Sequence, residues 1–113
     1  MVVREQVAEF IQNRDGVPAT YEDIILTNGA TDAIRVVLSL FKNESTKPLG
    51  VMIPIPHYPI FSSTVTEYGM YQIYYYLNEE KEWAVDVEEL QRAINLAKPY
   101  CEPKMLVIIN PGN

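Results

Sequence analysis

Three short stretches carry the residue types that could hold and work on a small ligand. Thr27-Asn28-Gly29-Ala30-Thr31-Asp32 puts small residues at the expected start of a helix, where free backbone N–H groups and the positive helix end attract an anion such as phosphate. Taken alone, a glycine before a helix is an ordinary turn. Asp32 would repel a phosphate if it pointed inward, so it is expected to turn away and bond nearby backbone instead. Ile53-Pro54-Ile55-Pro56-His57-Tyr58-Pro59-Ile60-Phe61 sets a tyrosine among prolines that stiffen the backbone, and a rigid tyrosine can stack on a flat aromatic ligand. His57 has nothing near it in sequence to orient it, so it reads as a partly exposed neighbour of Tyr58 rather than a base. Asn110-Pro111-Gly112-Asn113 offers two side-chain amides, each both donor and acceptor. A phosphate loop, an aromatic loop and an amide loop make one site only if the fold brings them together.

The elements between these loops supply the means. Val3, Val7, Phe10 and Ile11 recur at helical spacing, and Gly16 with Pro18 ends the helix expected over 3–14. Ile24-Ile25-Leu26 is a short strand leading to the first loop. Ala33, Ile34, Val37, Leu38 and Phe41 share one face of a second helix, with Asp32 in its positive first turn. Val51-Met52-Ile53 is a strand stopped by Pro54 and Pro56. Pro59 suits the first turn of a third helix, which carries Phe61, Val65 and Tyr68 on one face. Tyr71 to Leu77 is rich in strand formers. Asp86-Val87-Glu88-Glu89 reads as a capping box, with Val85 and Leu90 as a hydrophobic staple. It opens a helix expected to bury Val87, Leu90, Ile94 and Ala97 and to stop at Lys98-Pro99. Met105 to Ile109 is the last strand. One helix followed by strands alternating with helices predicts an α/β fold, with a mainly parallel sheet and right-handed crossovers. No repeat, low-complexity tract or linker divides residues 1–113, which read as one unit or part of one. In such folds the chemistry sits in the loops past the carboxyl ends of the strands. Each of the three stretches lies there, and the last one coincides with the end of the chain, so the chain is expected to be a piece of an enzyme.

Composition narrows the alternatives. Of 113 residues 48% are apolar and 21% charged, ordinary values for a globular protein. No apolar run reaches the roughly 20 residues of a membrane span. The start, Met1-Val2-Val3-Arg4-Glu5, lacks a basic and apolar leader pattern, which leaves the compartment open. A net charge of −6, with acids gathered in Glu79-Glu80-Lys81-Glu82 and Asp86 to Glu89, argues against nucleic acid, whose phosphates need Lys and Arg. One cysteine, Cys101, and one histidine, His57, argue against an internal disulfide and a thiolate or imidazole metal site. A dinucleotide fingerprint wants three glycines where the first loop has one, which weakens a nucleotide-binding domain as a reading.

With these residues in view, the chain resembles the class I/II pyridoxal-phosphate-dependent aminotransferases of fold type I. The likeness runs over almost its whole length. It is most specific in Gly29-Ala30-Thr31-Asp32-Ala33-Ile34, Ile53 to Pro59 and Ile109 to Asn113. Tyr75-Tyr76-Leu77-Asn78-Glu79-Glu80, Trp83 and Asp86-Val87 are similar to the alanine-using branch rather than to the aspartate or tyrosine relatives. The family usually carries serine and glutamine where this chain has Thr31 and His57; Thr31 keeps the hydroxyl.

The resemblance implies an incomplete three-layer α/β/α large domain, in which strand 51–54 lies between strands 71–77 and 105–109 and strand 24–26 stands apart. It implies pyridoxal 5'-phosphate as cofactor: the Ala30 and Thr31 amides and the Thr31 hydroxyl on its phosphate, Tyr58 on its ring, and Asn113 on its phenolic oxygen. Substrates would be an amino acid and a 2-oxo acid, alanine and 2-oxoglutarate for this branch. The whole protein would be a homodimer; the compartment, cytoplasmic or mitochondrial, is left open, and composition speaks against nucleic acid and a membrane as partners. The family's cofactor-bearing lysine, the aspartate beside the pyridine nitrogen and the substrate-gripping arginine all lie downstream of Asn113. None of Lys42, Lys47, Lys81, Lys98 or Lys104 sits in a matching motif, so no catalytic residue is assigned in this chain. Another class I/II aminotransferase, or an inactive relative serving as a binding module, remain the alternatives.

Overall fold

The computed structural model describes residues 1–42 and 46–109. The chain divides into two compact units, residues 1–33 and 34–113. In the first, α1 (Val2–Asp15) ends where Gly16 takes a φ of 69°, a left-handed value suited to glycine. The Gly16 N–H returns to the Gln12 carbonyl at 2.9 Å. Ala8 is buried and Val7 and Ile11 half-buried, so the inward stripe centres there. Phe10, expected on that stripe, lies roughly a quarter-turn round from its centre and is exposed, as is Val3 near the free end. Arg4 ties α1 to a short 3-10 turn, Tyr21–Asp23: its Nη2 donates to the Tyr21 carbonyl at 2.6 Å, and its guanidinium lies 5.5 Å from the Tyr21 ring centroid. The Asp23 carboxylate accepts from the Thr20 N–H at 2.8 Å and the Thr20 hydroxyl at 2.9 Å. These two bonds, the backbone one first, hold the Asp23 carboxyl below its ordinary range.

Residues 24–26, expected as a strand, form none. Ile24 is buried and extended (φ −107°, ψ 121°), but Ile25 and Leu26 are exposed, and no ladder partner exists for them among the described residues. A strand exists only as one side of a hydrogen-bonded pair, so β propensity alone leaves an extended segment.

The second unit is built on a parallel sheet. Its members are β1 (Leu49–Ile55), β2 (Tyr71–Tyr76) and β3 (Glu102–Leu106), in the order β2-β1-β3. This is the order expected for strands 51–54, 71–77 and 105–109. The path from β1 to β2 runs through α3 (Ile60–Glu67); the path back across β1 to β3 runs through α4 (Val87–Ala97). The two paths run in opposite directions across the sheet and their helices pack on its opposite faces, which gives three layers. On one face Val51, Ile53 and Leu49 pack with Val65 of α3, Met70, and Leu38 of α2 (Ala30–Ser39). On the other, Met52, Ile73 and Tyr75 pack with Ala93 and Ala97 of α4 and with Cys101. β1 alternates between the two clusters, as a central strand covered on both sides must.

Gly50 is required by close approach. A Cβ there would stand 2.6 Å from Cys101 Sγ, 2.7 Å from Ile73 Cδ1 and 3.3 Å from Pro103 Cα. Burial pushes the Cys101 thiol above its usual range, against a smaller opposite effect of Lys47. The Tyr75 ring is fully buried, and its hydroxyl donates to the Val107 carbonyl at 2.6 Å, which fastens β2 to the residues after β3.

Three local expectations are corrected. β3 begins at Glu102 rather than Met105: the Glu102 N–H reaches the Pro48 carbonyl at 2.9 Å, and an irregularity opposite Gly50 and Val51 takes up the extra residue. An edge strand tolerates the polar Glu102 and Lys104, which pair with each other at 2.7 Å. Val87 is 76% exposed, and the buried stripe of α4 runs through Ala93 and Ala97 with Leu90 and Ile94. The capping box is half made. Asp86 Oδ1 accepts from the Glu88 N–H at 2.9 Å, but Glu89 turns aside, takes the Tyr76 N–H at 3.0 Å and pairs with Arg92. No helix among the described residues is long and apolar enough to cross a membrane.

Candidate functional site

The first loop is folded back on itself. Gly29 adopts φ 85°, which favours glycine although its surroundings would leave room for a Cβ. The Thr27 hydroxyl donates to the Gly29 carbonyl at 3.1 Å, and the same carbonyl accepts the Ala33 N–H at 3.2 Å as α2 begins. Asp32 Oδ2 accepts the Asn28 N–H at 3.2 Å, so the carboxylate bonds nearby backbone, as expected from the sequence. Ala30 and Thr31, the first two residues of α2, are exposed. Their N–H groups have no acceptor among the described residues. These are the unspent backbone donors that a helix start always leaves, here on residues with small side chains.

The second loop leaves β1 through the cis Ile55–Pro56 bond. Tyr58 is 56% exposed, with no ring partner among the described residues, and its carbonyl accepts the Phe61 N–H at 3.3 Å where α3 starts. Its ring is thus presented to solvent rather than to the core. His57 is half-buried and stacks on Tyr74 of β2, with ring centroids 6.1 Å apart and planes at 25°. That partner is seventeen residues away in sequence, out of reach of local reading. The only signal for it was the strand pattern of 71–77, which puts Tyr74 near the carboxyl end of a strand beside β1.

Asn113 and the rest of the third loop, residues 110–113, lie outside the described residues. Ala30 and Thr31 belong to the first unit and Tyr58 to the second. An open groove of about 640 Å³ runs along α3 and β2, lined by Pro59, Ser62, Thr66, Glu67, Gln72 and Tyr74 among others. None of Ala30, Thr31 or Tyr58 lines it, and Glu67 is paired with Arg35, so the groove is not the expected ligand site. No cluster of three or more His, Cys, Asp or Glu able to hold a metal ion occurs among the described residues.

A β2-β1-β3 parallel sheet with helices on both faces and its small-residue loop at a helix start defines the large domain of a fold-type I aminotransferase. The alanine aminotransferase of Pyrococcus furiosus superposes with a TM-score of 0.82 over 97% of this chain and 26% of its own, at 24% identity, a likeness of fold. In sequence, human alanine aminotransferase 1 is 48% identical over 99% of this chain and 23% of its own length. The inactive alanine aminotransferase of Saccharomyces cerevisiae is 41% identical over 98% of the chain and 22% of its own. The family model for aminotransferase class I and II matches residues 2–113, and the chain belongs to that family. It spans about a quarter of the length of these relatives.

Proposed function

We propose that the protein carrying these residues moves an amino group between L-alanine and 2-oxoglutarate, giving pyruvate and L-glutamate, with pyridoxal 5'-phosphate as cofactor. The observation that carries the reading is the 48% identity to human alanine aminotransferase 1 across almost the whole chain. The residues present suit the cofactor. Two exposed, unpartnered amides at Ala30 and Thr31 match the needs of a phosphate, and an exposed ring at Tyr58 matches those of a flat heteroaromatic. When bound, the cofactor supplies an electron-withdrawing ring that stabilises the charge left at the substrate Cα. In this reading Ala30 and Thr31 fix the phosphate end, the Thr31 hydroxyl adds a donor, Tyr58 holds the ring plane, and Asn113 orients the phenolic oxygen. None of these groups moves a proton; they bind and orient. The whole protein is proposed to be a homodimer working in the cytoplasm or mitochondrion.

A second reading is a binding protein without turnover, favoured by the 41% identity to a relative named as inactive. Pyruvate formation from alanine and 2-oxoglutarate, measured on a protein that contains these residues and extends past Asn113, separates the two. Turnover that falls at least tenfold in Tyr58→Ala supports the transferase, taking ring contacts as worth about 1.4 kcal/mol or more. Cofactor binding without pyruvate supports the second reading. Turnover with aspartate in place of alanine would move the assignment to another member of the class.

A further inference from the structure

The middle of the loop that carries Tyr58 has little to hold it. β1 ends at Ile55, whose carbonyl accepts the Leu77 N–H at 3.4 Å, and α3 takes hold again at Pro59, whose carbonyl accepts the Ser63 N–H at 3.0 Å. Between them, the backbone N–H groups of His57 and Tyr58 have no acceptor among the described residues, nor does the His57 carbonyl have a donor. The His57 imidazole makes no hydrogen bond or ion pair among them either. Among the described residues its ring stacks on Tyr74.

Tyr74 is itself anchored. Its hydroxyl donates to Gln72 Oε1, and Gln72 Nε2 donates to Thr66 Oγ1 at 2.6 Å and to the Ser62 carbonyl at 3.2 Å. Ser62 and Thr66 belong to α3, the helix that follows the loop. A continuous run of contacts therefore leads from α3 through Gln72 and Tyr74 to His57, and closes over the residue next to Tyr58.

We infer that His57 and Tyr74 form an aromatic clasp that positions Tyr58, both of them positioning residues for the ring contact proposed above, on which this inference rests. An aromatic pair at this separation contributes a modest free energy, enough to select one loop conformation among a few but not to hold the fold. Tyr74 is 42% exposed on an edge strand, so removing its ring should spare the core.

The test uses the chain as it stands and two variants, Tyr74→Thr, which keeps strand propensity and loses the ring, and Tyr74→Phe, which keeps the ring. The chain has one histidine, so the imidazole C–H resonances report on His57 alone. Tyr74→Thr should move those resonances towards free-histidine positions. It should also lower the backbone order parameters of His57 and Tyr58 from the rigid value of about 0.85 towards about 0.6. Affinity for pyridoxine 5'-phosphate, which has no aldehyde to react with stray lysines, should fall roughly two- to tenfold, the range an aromatic pair spans. Tyr74→Phe keeps the stack and loses only the bond to Gln72, so all three readings should fall between those of the parent chain and those of Tyr74→Thr. Ring resonances that do not move, or that move while Tyr58 stays ordered and affinity is unchanged, would overturn the clasp. If the loop loosens as expected but the parent chain does not bind pyridoxine 5'-phosphate, His57 and Tyr74 still order the loop, and the ring contact proposed for Tyr58 is what fails.

Discussion

At the scale of single residues, the proposed anion site rests on backbone donors, which side-chain substitution cannot remove. Ala30→Pro can. Proline is accepted at the first position of a helix, so α2 should keep its helicity by circular dichroism while losing the Ala30 N–H. A hydrogen bond to a charged group is worth about 1.5–3 kcal/mol, so affinity for pyridoxine 5'-phosphate should fall at least tenfold, while weak binding of pyridoxine itself should not change. An equal loss for both ligands would mean that the amide does not meet the phosphate. Gly50→Ala tests packing instead. The new methyl would press on Cys101 Sγ and Ile73 Cδ1, costing about 1–3 kcal/mol in urea unfolding. Cys101→Ala in the same chain should recover part of that loss, because it removes the nearest atom. The backbone bond of Asp32 was legible from sequence: a carboxylate beside the proposed anion site was expected to bond nearby backbone, and it accepts the Asn28 N–H. The partner of His57 was not, because a stack between neighbouring strands is fixed by register, which no local pattern states.

At the scale of elements, sequence periodicity located the helices well because each has an apolar stripe or a terminal signal of its own. It failed where an element depends on its neighbours. Residues 24–26 have the composition of a strand but no ladder partner among those described. β3 starts three residues early because the Pro48 carbonyl and the edge position accept a polar beginning. The capping box divided, because the Tyr76 N–H at the sheet edge competes for Glu89. That division is testable. Asp86→Ala should cost about 1 kcal/mol as the loss of an N-cap. Glu89 adds a pH dependence. Its bond from Arg92, and then the Tyr76 N–H, hold its carboxyl below the ordinary value, against a partial rise from burial. A carboxyl lowered in the folded state stabilises the fold above its unfolded pKa, and that contribution disappears as pH falls through the folded value. The unfolding midpoint should therefore drop in the acid range below the usual carboxylate pKa. Glu89→Gln should lower stability at neutral pH, where the carboxylate contributes, and flatten the acid slope, and an unchanged slope would assign the acid lability to other carboxylates such as Asp23.

At the scale of the whole molecule, the surface is more apolar than its composition suggests. Ile25, Leu26, Leu40, Leu106 and Ile108 are all more than 40% exposed. Such exposure suits a chain that spans about a quarter of its relatives' length. The residues proposed to bind the cofactor are within it, but no lysine in it matches the family's cofactor-bearing motif. The five lysines have other employment or none near the site. Lys47 donates to the Lys98 carbonyl at 2.6 Å, Lys104 pairs with Glu102, Lys42 lies 5.7 Å from the Tyr68 ring, and Lys81 and Lys98 sit exposed at the ends of a turn and of α4. In the proposed reading, binding and orientation come from loops that this stretch contains, whereas proton transfer at the substrate Cα needs an amine placed against it. The 113-residue chain, supplied with pyridoxal phosphate, alanine and 2-oxoglutarate, should accordingly form pyruvate no faster than the free cofactor does. Absorbance changes decide nothing here, since exposed lysines react with any aldehyde. The measurement that decides is pyruvate itself, run beside Tyr58→Ala. Turnover well above free cofactor and lost in that variant would mean that one of these five lysines reaches the substrate.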